Sequence, residues 1–220
     1  MKTIGVVLSG CGVFDGAEIH ESVITLLAID RAGAKALLMA PNVDQLHVIN
    51  HQTGEVAEGE TRNVMVESAR IARGAVRDIA DVTPDEFDAL ILPGGFGAAK
   101  NLCTFGVDGP DCRMNEDVSA LIRGTLEAKK PLGAVCIAPA TVAKALEGTG
   151  VAPTLTIGTD AGTAGAIEKL GSHHRNCPVT EFVVDEERKI VSTPAYMLAG
   201  RISEAAEGIE KLVAKVIALA

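Results

Sequence analysis

Cys136 is the residue whose surroundings best suit covalent chemistry. It follows the apolar run Leu132-Gly133-Ala134-Val135 and precedes Ile137-Ala138-Pro139-Ala140, where a helical pattern resumes at once. A thiol on such a strand-to-helix turn lies near a helix N-terminus, whose partial positive charge favours the thiolate. The small neighbours Gly133 and Ala138 let strand and helix approach closely, as in a nucleophile elbow. The competing reading is a cysteine buried as a small hydrophobe, the commonest fate of a free thiol.

Two glycine loops and two glutamates supply the other chemistry. Pro93-Gly94-Gly95-Phe96-Gly97 follows an apolar run and opens a helix, so its backbone N–H groups can converge on an anion. Gly97 is followed by Ala98-Ala99-Lys100, without the Lys-Ser/Thr ending of a phosphate loop. Gly10-x-Gly12-x-x-x-Gly16 misses the dinucleotide fingerprint by one residue, and no acidic residue closes the second strand, which argues against NAD. Glu18 and Glu21, three apart on the helix leaving that loop, share a face. With an interior stripe through Ile19, Val23 and Leu26, Glu21 falls near the helix edge, within reach of a thiol on a neighbouring strand. The histidines, including the His173-His174-x-x-Cys177 cluster, lack metal-ligand spacing, so no metal is expected.

These groups need a scaffold that brings strand ends together. Strand-length runs at Thr3–Leu8, Ala36–Ala40, Ala89–Leu92, Leu132–Val135 and Leu155–Ile157 alternate with helical periods. The helices fall over Ala17–Ala32, Arg62–Arg73, Asn115–Ala128, Ala138–Leu146, Ala161–Leu170 and Arg201–Leu219. A hairpin is expected from Phe182–Asp185 to Ile190–Thr193. The alternation predicts an α/β fold, a mostly parallel sheet with helices on both faces, in one domain over residues 1–220. Thr3–Leu8, Ala89–Leu92 and Leu132–Val135 should be neighbouring central strands, because their near-continuous apolar character requires burial on both sides. Residues 42–61 interrupt the pattern as a polar excursion with a short strand at Leu46–Asn50. Ligand sites in such sheets sit at the carboxyl ends of the strands, where all three loaded loops lie.

Composition narrows the function classes. With 47% hydrophobic residues and only 3% aromatic ones, the core is aliphatic. A net charge of -9 opposes general attraction to nucleic acid or anionic lipid. The N-terminal apolar stretch is a strand's length, and no stretch approaches a membrane span, so a cytoplasmic protein is expected. Five scattered cysteines without a CxxC pair suggest free thiols in a reducing compartment.

The strand-G-x-x-C-I-A-P-helix segment, with its preceding PGG loop and acidic first helix, resembles the PfpI/ThiJ superfamily of the class I glutamine amidotransferase-like fold. More closely, IGVVLSGCGVFDGAEIHE, NHQTGE, ETRNVMVESARIARG, DALILPGGFGAAKNL, CIAPA, TIGTD and TPAYMLA resemble the glyoxalase ElbB group, over Ile4 to about Leu212. The resemblance implies a flavodoxin-like three-layer sandwich, a reactive Cys136 on a strained turn, Glu21 hydrogen-bonded to it, and an oxyanion site from the backbone at Gly94, Gly95 and Ile137. Glu18 and Asp160 are the further carboxyl candidates. It also implies a cofactor-independent homodimer that converts glyoxal, and by extension methylglyoxal, to the 2-hydroxy acid without glutathione. Peptidase members carry histidine directly after the cysteine and amidotransferases a distal His-x-Glu; Ile137 and Thr193-Pro194-Ala195-Tyr196 offer neither. The alternatives are a redox-responsive or regulatory protein with an oxidisable Cys136, and a non-catalytic binding module.

Overall fold

Short aliphatic runs become strands here because both of their faces are covered. In a computed structural model describing residues 1–220, β1 (Thr3–Val7) passes through a glycine-rich loop into α1 (Ile19–Arg31) and then β2 (Lys35–Ala40). α2 (Val64–Ala72) and the two-residue β3 (Arg77–Asp78) lead to β4 (Ala89–Leu92), whose end opens α3 (Phe96–Lys100). α4 (Phe105–Asp108) and α5 (Glu116–Glu127) precede β5 (Leu132–Val135), which turns directly into α6 (Ala138–Leu146). The chain continues through β6 (Thr154–Leu155), α7 (Ala161–Lys169), β7 (His173–His174), the hairpin β8 (Val183–Asp185) and β9 (Ile190–Thr193), and α8 (Ile202–Leu219).

The main sheet runs β3-β2-β1-β4-β5-β9-β8, parallel throughout except for the β8–β9 hairpin. β1, β4 and β5 are central neighbours, as their apolar character requires. Side-chain alternation splits the core into two layers: Leu90 and Leu92 of β4 pack with Phe87, Ile122 and Leu146, while Ile91 packs with Ile4, Ile209 and Leu212 on the other face. The chain leaves β1 towards β2 on one side and later returns on the other as β4. The carboxyl ends of β1 and β4 therefore flank the topological switch point.

Three expectations need correction. The expected interior stripe of α1 mostly faces outward: Ile19 and Val23 are 43% and 49% exposed, as is Leu27 at 41%, whereas Leu26 is half-buried against the core, and the buried face carries Ile24, Ala28 and Ile29 together with Glu21, Ser22 and Thr25. Two of the three inward polar residues are satisfied, Glu21 by backbone N–H groups and Ser22 by donating its hydroxyl to the Glu18 carbonyl at 2.7 Å, while the Thr25 hydroxyl has no partner. Leu46–Asn50 is no strand. It makes one isolated bridge, Ile49 with Val56, and is tied down by side chains instead, the Ile49 N–H donating to Asp15 Oδ2 and the Leu46 N–H to Asn101 Oδ1. The strand predicted at Leu155–Ile157 forms as β6 but stays outside the main sheet, since β8 occupies the free edge of β9; β6 pairs with the unforeseen β7.

The loops at the switch point touch backbone to backbone. Gly97 N–H donates to the Gly16 carbonyl at 2.8 Å, and Phe96 N–H to the Val13 carbonyl at 2.8 Å. A Cβ on Gly97 would lie 2.4 Å from the Ser9 carbonyl oxygen and 2.5 Å from the Gly16 carbonyl carbon, main-chain atoms that cannot swing aside. Gly97→Ala is expected to lower unfolding free energy by about 1–3 kcal/mol, the range for overpacking. Gly165→Ala, in α7 with open space around its Cβ, should raise it by about 0.5–1 kcal/mol through helix propensity. Urea titrations of the two variants check both signs.

Candidate active site

The β5–α6 junction holds Cys136 in an unusual backbone conformation. Its φ is 61°, in the left-handed region that a side chain normally avoids, and its N–H donates to the Thr193 carbonyl at 2.9 Å on β9. Such a conformation costs about 1–3 kcal/mol and persists only where the surroundings enforce it. It lifts the thiol off the strand end towards α1 and the Pro93-Gly94-Gly95 loop. The side chain is nonetheless buried, with 7% of the residue exposed.

Glu21 meets it from α1. The carboxyl is fully buried; its Oε2 accepts from Gly94 N–H at 3.0 Å and its Oε1 from Tyr196 N–H at 3.2 Å, and it lies beside the Cys136 thiol. Burial, reinforced by the neighbouring Glu18 carboxylate, pushes the Glu21 pKa up to about 8 against the opposing pull of these hydrogen bonds. Glu21 is thus mainly a neutral acid at pH 7. Close approach needs a residue without a side chain between the two: a Cβ on Gly94 would lie 2.5 Å from Cys136 Cβ and 2.6 Å from Glu21 Oε2.

The helix-end argument for a ready thiolate is outweighed. Burial pushes the Cys136 thiol well up, an ionised Glu21 pushes it further, and the N–H groups of Gly95 and Ile137 act in the opposite direction. The helix terminus is real but cannot offset the loss of water around sulfur. The two groups titrate as a pair, and the first negative charge to appear is shared between carboxylate–thiol and acid–thiolate forms.

The thiol opens onto a pocket of about 510 Å³ bordered by Glu18, Gly95, Ile137 and Tyr196, with Phe96, Phe105 and Met197 as its apolar wall. The residues selected from sequence separate into distinct places. Cys136, Glu21, Gly95 and Ile137 converge. Gly94 is present but its N–H is committed to Glu21 Oε2, so the groups free to meet an oxyanion are Gly95 and Ile137. Glu18 caps α1, accepting from Glu21 N–H at 2.7 Å, and also borders the pocket. Asp160 caps α7 at the surface, accepting from Thr163 N–H at 2.7 Å, and it is Thr163 that reaches the pocket.

Sequence reasoning missed Tyr196 and His20. The Tyr196 hydroxyl lies 2.8 Å from His20 Nδ1, and its backbone N–H holds Glu21. The available signal was position: Tyr196 is the only tyrosine and follows β9, the strand beside β5. No group of three or more His, Cys, Asp or Glu side chains is arranged to hold a metal. No helix is long and apolar enough to cross a membrane. A second hollow, about 600 Å³, lies at the opposite ends of β5 and β9, bordered by Arg123, Lys129, Arg188 and Lys189, with no cysteine or histidine in its lining.

Comparison with known proteins agrees with this architecture. A human protein named glutamine amidotransferase-like class 1 domain-containing protein 3, mitochondrial, is 46% identical over 98% of this chain and 82% of its own length. The crystal structure of an Ehrlichia chaffeensis isoprenoid biosynthesis protein with an amidotransferase-like domain superposes with a TM-score of 0.91 at 38% identity, covering 98% of this chain and 99% of that one. Glyoxalase III of Candida albicans shares the fold, with a TM-score of 0.63 at 16% identity over 99% and 97% of the two chains. The human relative and a rat ES1 protein homolog, also 46% identical, carry a mitochondrial designation, which overturns the cytoplasmic expectation. Charge and hydropathy exclude no soluble organellar compartment, so they carried no information on this point. The DJ-1/PfpI family model matches residues 11–192, and the chain belongs to that family.

Proposed function

We propose that the protein is a glutathione-independent glyoxalase acting on small dicarbonyls, glyoxal first and methylglyoxal by extension. The observation that carries this reading is the fully buried Glu21 acid beside Cys136 at the edge of a small pocket. A protein of the same fold bears the glyoxalase name, which supports the class of chemistry.

In the singly ionised pair, Glu21 takes the thiol proton and Cys136 Sγ bonds to an aldehyde carbon. The aldehyde oxygen, facing the N–H groups of Gly95 and Ile137, receives that proton back as the hemithioacetal forms. Glu21, again a carboxylate, removes the hydrogen on the thiol-bearing carbon and returns a proton to the adjacent carbon through an enediol, while the hydroxyl proton passes between the two oxygens. Water then cleaves the resulting thioester, releasing the 2-hydroxy acid and the free thiol. The sequence needs neither an external thiol nor a redox partner.

Glu21→Gln removes the transferable proton and should lower glyoxal turnover by about 100-fold or more, with the far-UV spectrum unchanged. Glu18→Gln, which keeps its helix-capping acceptor, should alter turnover only a few-fold. Wild-type turnover in Glu21→Gln would dismiss the dyad, whereas a wild type that consumes only one equivalent would favour the redox-responsive reading.

The same carboxyl makes stability depend on pH. Glu21 has an ordinary value of 4.5 in the unfolded chain and about 8 in the folded one, so folding takes up a proton between these values. Its contribution is complete below pH 4.5 and lost as pH rises through about 8. Urea midpoints from pH 5 to 8.5 should therefore fall more steeply for wild type than for Glu21→Gln; parallel curves would contradict the assignment.

The exposed α1 stripe of Ile19, Val23 and Leu27 suits a second copy of this chain. Sedimentation should find a dimer that Val23→Glu converts to monomer, with the wild-type fold retained.

A further inference from the structure

A second pair of sulfur atoms lies away from Cys136. Cys103 stands opposite Met114 in an isolated antiparallel bridge, with Thr104 N–H donating to the Arg113 carbonyl at 2.9 Å and Asn115 N–H to the Leu102 carbonyl at 3.0 Å. In that register Cys112 falls on the same face as Met114, diagonally across from Cys103, and each thiol acts on the other's ionisation. Both cysteines are free and buried in one apolar cluster, 2% and 3% exposed. Cys103 Sγ is 3.5 Å from the Ala98 carbonyl and 3.7 Å from Thr141 Oγ1. Cys112 is flanked in the chain by exposed Asp111 and Arg113.

We propose that Cys103 and Cys112 are a peroxide-oxidisable dithiol that forms a reversible disulfide. The two thiols are diagonal neighbours across the Cys103–Met114 bridge, a separation that a local shift of the Thr104–Asp111 segment shortens to bonding distance. The cross-link would staple the two ends of Thr104–Asp111, the segment that sends Phe105 and Gly106 into the pocket wall. Its formation does not depend on what the pocket binds.

The two sulfurs are unequal. Cys103 lowers the Cys112 pKa, and the Lys144 ammonium, which donates to the neighbouring Pro110 carbonyl at 3.2 Å, adds to the effect against burial. Cys103 is pushed well up by the same partnership and by burial. Cys112 is therefore the attacking thiolate. Its sulfur breaks the O–O bond of hydrogen peroxide, giving a sulfenic acid and, with one proton, water. Cys103 then attacks that sulfur and expels a second water. Both thiol hydrogens leave with the two electrons that reduce the peroxide.

The test is peptide mapping of the full-length protein after mild hydrogen peroxide treatment and blocking of free thiols under denaturing conditions. A linked peptide pair joining Cys103 to Cys112, with the mass of two hydrogens lost and restored by dithiothreitol, is expected. In Cys103→Ser, dimedone should capture the sulfenic acid on Cys112, while Cys112→Ser should leave Cys103 alkylatable. Should both thiols of the wild type remain alkylatable while Cys136 is oxidised, or should either bond to a different cysteine, the proposal fails. The wild-type map decides the matter even if a serine variant does not fold, and the alanine substitutions repeat the test without a new hydroxyl.

Discussion

The arrangement of the centre follows from one buried carboxyl. Glu21 is removed from water, and a charge there would be opposed by desolvation and by Glu18. Two backbone N–H groups from separate segments, Gly94 after β4 and Tyr196 after β9, make the burial tolerable. Each bond fixes a different loop. Holding Gly94 sets the direction in which Gly95 points, and holding Tyr196 orders the short turn after β9 and brings its ring to the pocket. The carboxyl is thus a structural fastener between α1 and two strand ends as well as an acid.

That double duty explains the cost accepted at Cys136. A left-handed cysteine and a neighbouring acid are each unfavourable taken alone. They persist because β5 lies between β4 and β9, so both flanking strand ends close on the turn from opposite sides. Cys136 N–H is tied to β9, and Gly94 presses against its Cβ from β4. Local strain is offset by contacts that are distant in sequence, the usual signature of a site built by the whole sheet.

What could be read beforehand divides along the same line. Local signals were legible: aliphatic runs gave β1, β4 and β5 and their adjacency, and the Pro93–Gly97 loop was recognisable as a glycine turn after a strand. The dyad itself came from the resemblance. The orientation of α1 was not legible, because Ile19, Val23 and Leu27 form a convincing apolar period that faces outward while polar Glu21, Ser22 and Thr25 turn inward. Periodicity assumes that apolar means buried, and a functional carboxyl together with an apolar outer face defeats it. Tyr196 and His20 were invisible for another reason: their meeting spans 176 positions of the chain. The pairing of β6 with β7 likewise depended on which edge β8 had already filled.

The glycine contacts around Cys136 divide the site into a part that tolerates variation and a part that does not. At Gly94, Gly95 and Gly97 any added carbon would run into main chain or into the dyad, so the inner surface is closed to amino-acid change. The outer wall comes from Phe96, Phe105 and Met197, side chains on three separate elements whose backbones are not pinned to the thiol. Under the proposed function, substrate preference can therefore drift among related chains by exchange of these three side chains, while the dyad and its glycine frame stay fixed. A reader comparing such chains should expect the reaction class to be written at the strand ends and the choice of molecule in the rim.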